Sequence, residues 1–155
     1  MTRDPHLHDT PTDDLRRLVT EVAARATVAV GLAGIALIHL LDSIGKWSET
    51  RYLFWMYIAL MVGSLVTAGA VLFTRSRLSW LAAAGVAASA LLGFVINRTV
   101  GLPNAMDDIG NWTEPLGLAS LFVEGATVAV SLAALAATRA VGAVRPTRRR
   151  DLATA

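Results

Sequence analysis

Residues 52–73 read YLFWMYIALMVGSLVTAGAVLF, a run whose only ionisable side chains are Tyr52 and Tyr57. A hydrocarbon core about 30 Å thick needs ~20 helical residues at about 1.5 Å each. This run meets that length with no proline and no charge to interrupt it. Three other stretches meet the length: residues 26–44, which carry His39 and Asp42 near their end, 78–96, and 116–138, whose one charged residue is Glu124. Membrane barrel strands would alternate polar and apolar residues over about 10 positions, and these spans do not. The sequence therefore predicts an all-α polytopic membrane protein with four transmembrane helices.

Composition agrees. Of the 155 residues 54% are apolar and 17% charged, and the mean hydropathy is +0.52. Soluble domains average about 25% charged residues and must cover a large remaining surface with them. Cysteine is absent, which excludes a disulfide-stapled secreted domain.

The first 25 residues read as a cytoplasmic tail followed by an amphipathic helix. They do not read as a signal peptide, since His39 and Asp42 sit inside the first span and no small-residue cleavage site precedes a polar domain. Thr10 is the expected N-cap, with Pro11 at the first helical position and Asp13 at the third. Leu15, Leu18, Val19 and Val22 follow at helical spacing. Two readings stay open: a helix lying in the interface, or a plain extension of the first span.

Basic residues set the expected orientation. An even number of spans places both termini and the 74–77 turn on one side, which then holds eleven of the fourteen Lys and Arg residues. Only Lys46, Arg51 and Arg98 fall on the other side. This bias predicts cytoplasmic termini in the plasma membrane. The net charge of +2 divides into +5 on the inner side and −3 on the outer half. The Arg-rich residues 145–150, within the basic tail 139–155, read as a topology anchor for anionic lipid, and nucleic acid is not expected as a partner.

Close packing is expected along Gly85, Ser89 and Gly93 in the third span, and along Gly125, Ala129, Ala133 and Ala137 in the fourth. Small residues let membrane helices approach. These stripes suit either the bundle interior or a contact between protomers. Trp47, Trp80 and Trp112 fit interfacial aromatic belts.

The polar residues of the outer half carry any chemistry. His39 and Asp42 stand at i and i+3 near the end of the first span. Arg98 closes the third span, and the loop 97–115 adds Asp107, Asp108 and Glu114. Loops this long are usually functional or disordered. Its glycines, prolines and tryptophan favour an ordered cap or a re-entrant segment. Glu124 lies about 12 Å along the last span, where a charge costs roughly 2.5–3.5 kcal/mol. Such a group pairs, binds an ion or holds a proton, and His39 and Arg98 are its expected partners. The candidate ion or ligand site is thus His39, Asp42, Arg98, Asp107, Asp108, Glu114 and Glu124, with no catalytic residue assigned. The carboxylates and His39 leave a divalent metal open, although residues 107–114 depart from the calcium-loop spacing. One histidine does not make a haem site, and no cofactor is expected.

The segment Arg98-Thr99-Val100-Gly101-Leu102-Pro103, the run Asp107-Asp108-Ile109-Gly110-Asn111-Trp112-Thr113-Glu114-Pro115-Leu116-Gly117-Leu118, and Glu124 resemble a group of uncharacterised small four-helix membrane proteins of actinobacteria. The stretch His39-Leu40-Leu41-Asp42 with Lys46 extends the resemblance over about residues 26–138. It implies the four-helix topology and gives no residue a role.

Three functions follow as expectations. The first is a membrane protein with an ion, proton or ligand site in its extracytoplasmic half, transport-related if it oligomerises. The second is an accessory subunit docking through 97–115, and the third a metal-dependent membrane enzyme. The expected partners are the lipid bilayer and either further copies of the chain or another subunit of a membrane complex.

Overall fold

A computed structural model describes residues 11–144, with side chains through Thr138. Four helices follow in order: α1 (Pro11–Glu49), α2 (Arg51–Phe73), α3 (Arg77–Thr99) and α4 (Pro115–Val144), with a 3-10 turn at Met106–Asp108. All four are long and apolar enough to cross a membrane, and the chain is a multi-pass membrane protein. Only 22–28% of the most apolar window of each helix is buried. The apolar excess therefore faces outward, through side chains such as Val30, Leu65, Phe73, Phe122 and Leu132.

Helix α1 is one continuous rod of 39 residues, about 58 Å long at 1.5 Å per residue. The amphipathic segment is thus an extension of the first span, and its Leu15, Leu18, Val19 and Val22 stand exposed. Pro11 opens the described helix, where its missing N–H costs nothing. The expected cap, Thr10, and the Arg-rich residues 145–150 lie outside the described residues.

The helices pack as a closed ring in which α1 touches α2 and α4, and α3 touches the same two. The interior is filled by Val28, Leu32 and Ile35 of α1, Val71 of α2, Ala83 and Ala87 of α3, and Leu135 of α4. The small residues that let helices close are not the ones the stripes suggest. A Cβ on Gly31 would collide with Thr127, and one on Gly34 would fall 3.2 Å from Val123. Those two glycines form the α1–α4 seam. On α3 the inward positions are Ala83, Ala84, Ala87 and Ala90. Gly85 and Gly125 have open space beside them, and Ser89, Ala129, Ala133 and Ala137 are exposed. The α4 stripe and Gly85 are therefore not packed in the bundle interior, while Ser89 and Gly93 line a cavity between the helices and make no close helix contact.

Trp80 also departs from its expected place at the interface. It is 3% exposed, buried in the core with the Arg25 guanidinium 5.4 Å from its ring centre. Arg25 holds the end of α2 by donating from Nη1 to the carbonyls of Val71 (2.5 Å) and Thr74 (2.6 Å). A cation on those last carbonyls also meets the negative end of the helix dipole. The cation–aromatic contact and the tight α2–α3 turn draw Trp80 inward. Trp47 and Trp112 remain partly exposed.

At the opposite end the chain between α3 and α4 folds across the bundle. Gly101, at φ +82°, donates its N–H to Ile96 O and ends α3. A side chain there would be strained and would fall 2.6 Å from Met106 Sδ. Gly110, also at positive φ, returns the chain by donating to Arg98 O at 2.9 Å. The loop then reaches the α1–α2 corner, where Thr50 Oγ1 donates to Asn104 O and Tyr52 OH to Pro103 O. This segment caps the ring and roofs the site.

Candidate functional site

Beneath the cap lies a cavity of about 460 Å³ to which all four helices contribute. Helix α1 supplies His39 and Asp42, one turn apart and on the same face, with Lys46 above them. Helix α2 supplies Tyr57, and α3 its last turn, Asn97 and Arg98. The cap contributes Asp108 and Glu114, and α4 contributes Ser120. Leu53, Met56, Leu60, Phe94 and Leu116 make the apolar part of the wall.

Arg98 organises the polar end. It is 6% exposed, and its Nη1 donates to Asp108 Oδ1 at 2.8 Å and to Asp108 O at 3.2 Å. Its Nη2 donates to Glu114. The guanidinium lies 5.1 Å from the Phe94 ring centre. Phe94 can take that place because Gly117 faces it: a Cβ on Gly117 would fall 2.7 Å from Phe94 Cε2. Asn97 Nδ2 donates to the other Asp108 oxygen at 2.9 Å, so one carboxylate is shared by two consecutive residues of α3. Burial pushes the Asp108 carboxyl up, but the Asn97 hydrogen bond and the Arg98 charge outweigh it and hold the group below its ordinary value.

Two polar atoms in this cluster have no partner. Arg98 Nε, a donor, and Asn97 Oδ1, an acceptor, are both buried without a hydrogen bond. Leaving such groups unpaired costs about 1–3 kcal/mol each, more when charged. They sit on adjacent residues that both contribute to the cavity wall, but the two atoms themselves are closed off from it.

His39 accepts an edge-to-face contact with Tyr57, ring centres 5.1 Å apart. Its Nδ1 lies 2.9 Å from Ile35 O, and because a carbonyl only accepts, Nδ1 carries a proton; in the neutral ring Nε2 is then the acceptor. Asp42 lies within electrostatic reach of His39, Lys46 and Tyr57.

Five of the seven residues singled out from the sequence therefore share one cavity: His39, Asp42, Arg98, Asp108 and Glu114. Asp107 points away and is exposed in the 3-10 turn. Glu124 is fully buried but does not line the cavity; Ser120, one turn above it, donates to Glu124 Oε1 at 2.5 Å. Its expected pairing with Arg98 or His39 is not made. The guanidinium is engaged by Asp108 and Glu114, both closer to the end of α3, and Oε2 of Glu124 is left without a partner. A bare carboxylate in that position would be uncompensated, so a proton or a cation must neutralise it. No three His, Asp or Glu side chains converge on a metal position among the described residues. The ligand set imagined around His39 is therefore not assembled: its carboxylates are divided between Arg98 and the α1 face.

Tyr57, Asn97 and Ser120 complete the site, although none stood out as a site residue in the sequence. The Ser120–Glu124 spacing of i, i+4 was the available signal; for Tyr57 the only one was a polar tip inside an apolar run. No family model, curated protein or solved structure matches the chain.

Proposed function

We propose that this protein binds a small organic molecule in the cavity beneath the 100–114 cap, and that the cavity opens in the extracytoplasmic half of the membrane. One observation carries the reading: a cavity of about 460 Å³ in which His39, Asp42, Lys46, Tyr57 and Arg98 meet an apolar wall. Ligand pockets of this kind typically measure about 300–1,000 Å³ and combine apolar walls with a few convergent polar groups. The eleven-to-three distribution of basic residues supports the extracytoplasmic placement. Four helices rarely enclose a solute path by themselves, so a transport role would draw on association of several chains.

The absence of cysteine offers a clean test. Gly93 lines the cavity, and a Cβ there meets open space. Gly93→Cys in right-side-out vesicles is expected to react with a small, membrane-impermeant methanethiosulfonate added outside. A thiol that stays unreactive from outside refutes the placement.

A second reading, a subunit that docks a partner through its cap, draws on Val100, Met106 and Ile109, which stand exposed on the loop. It requires that polar substitutions of these three abolish association with the partner while the cavity stays reactive.

A further inference from the structure

We infer that Glu124 is a proton-binding site inside the bundle, and that the Ser120 hydroxyl passes the proton between it and the cavity. The route of access rests on the cavity reading above; the proton site does not.

Burial and pairing select the proton. Glu124 is 0% exposed, and Ser120 Oγ is its one hydrogen-bond partner among the described residues. Oε2 has none. The titratable side chains that the other spans carry are His39 and Asp42 on α1 and Tyr52 and Tyr57 on α2, and α3 has none between Arg77 and Arg98. Among the described residues none of these adds a charge or a hydrogen bond at Glu124, where burial and Ser120 are the influences felt. A carboxylate there would set a full charge against one hydroxyl. A carboxylic acid leaves only a neutral group short of a partner, which costs far less. A cation in the proton's place would need further oxygen ligands around Oε2. That atom has no polar partner and under 1 Å² of accessible surface, whereas a proton needs no room.

Ser120 belongs to both places, since it lines the cavity and its Oγ donates to Glu124 Oε1. For uptake, a hydronium ion in the cavity gives a proton to Ser120 Oγ as the hydroxyl's own proton moves to Oε1. One O–H bond of Ser120 forms as the other breaks, water is left behind, and the carboxylate becomes the acid. Release is the reverse. Past Glu124 the route stops. Thr127 donates to Val123 O of its own helix and lies against Gly31. Ser131, further along α4, makes no hydrogen bond that would continue the line, and Val28, Val71, Trp80 and Leu135 close the core. Exchange is therefore with the cavity side.

The test reads the infrared C=O stretch of a protonated carboxyl in the full-length protein, reconstituted in vesicles near neutral pH. Glu124 is expected to give such a band. It should be absent in Glu124→Gln and moved, not lost, in Glu124→Asp, which keeps a carboxyl. In heavy water the band should shift as O–H becomes O–D. Ser120→Ala should slow that shift about a hundredfold, the low end of what a positioned proton-transfer group contributes, and Ser120→Thr, which keeps the hydroxyl, should restore it. A bulky methanethiosulfonate on Gly93→Cys should slow it too, by filling the cavity. The proton site is overturned if native protein and Glu124→Gln give the same carboxyl spectrum, or if sodium chloride removes the band. The relay is overturned if Ser120→Ala exchanges at the native rate, and the route through the cavity if labelling at 93 leaves exchange unchanged. A thiol at 93 that does not label removes the cavity reading and the route with it, while the Glu124 band still upholds the proton site.

Discussion

Arg98 is the side chain on which the site depends. It joins the last turn of α3 to both carboxylates of the cap. Replacing it by Gln leaves Asp108 and Glu114 without their cation. Because their side chains are 29% and 38% exposed, water recovers part of the loss. The expected destabilisation is about 2 kcal/mol, below the range for fully buried pairs, and thermal unfolding in detergent measures it. Arg98→Lys should rescue little, since an ammonium cannot span two carboxylates as a guanidinium fork does. Asp108 gives a pH signature. Its folded-state value is depressed, so its contribution is complete above the ordinary carboxylate range near ~3.9 and is lost as pH falls through the folded value. A melting profile over acid pH should therefore fall more steeply for the native protein than for Asp108→Asn. The residue types of this cluster were legible in the sequence, but not their pairing. Glu124 was expected to meet Arg98, and only the return of the loop through Gly110 shows that Asp108 and Glu114 reach it first.

At the scale of the helices, hydropathy and length identify all four spans, because a bilayer demands long apolar runs with every backbone group satisfied internally. Packing faces were less legible. When every residue of a span is apolar, no periodicity marks the side that turns inward, and small residues occur on both sides. The structure places the tight seam at Gly31 and Gly34 and leaves Gly85 open. Two substitutions separate these roles. Gly31→Ala should destabilise the protein by about 1–3 kcal/mol through overpacking against Thr127. Gly85→Ala should be neutral or stabilise by up to about 1 kcal/mol, the helix-propensity difference. Unfolding midpoints of the pair, measured in one detergent, check both. Gly31→Ala unfolding at the native midpoint would show that the α1–α4 seam is looser than described.

As a whole molecule, the protein is a ring of four apolar helices whose polar groups gather at one end. The cap crosses from α3 to the α1–α2 corner, so residues far apart in sequence, His39 and Glu114 among them, come to share a wall. The sequence placed these groups in one half of the membrane but could not show that Asp107 turns outward or that Tyr57 and Asn97 turn in. The account stands on the cavity being open from the extracytoplasmic side, and a comparison of two cysteines on one helix tests that most directly. Gly93 faces the cavity, while Gly85, about two turns away, is exposed on the outside of the ring. The labelling rates of Gly93→Cys and Gly85→Cys by a polar methanethiosulfonate, in right-side-out vesicles, are expected to differ sharply. The thiol at 93 should react from the extracytoplasmic side, and the thiol at 85, facing hydrocarbon, should not. Equal rates, or a thiol at 93 that reacts only after the vesicles are opened, would contradict the account.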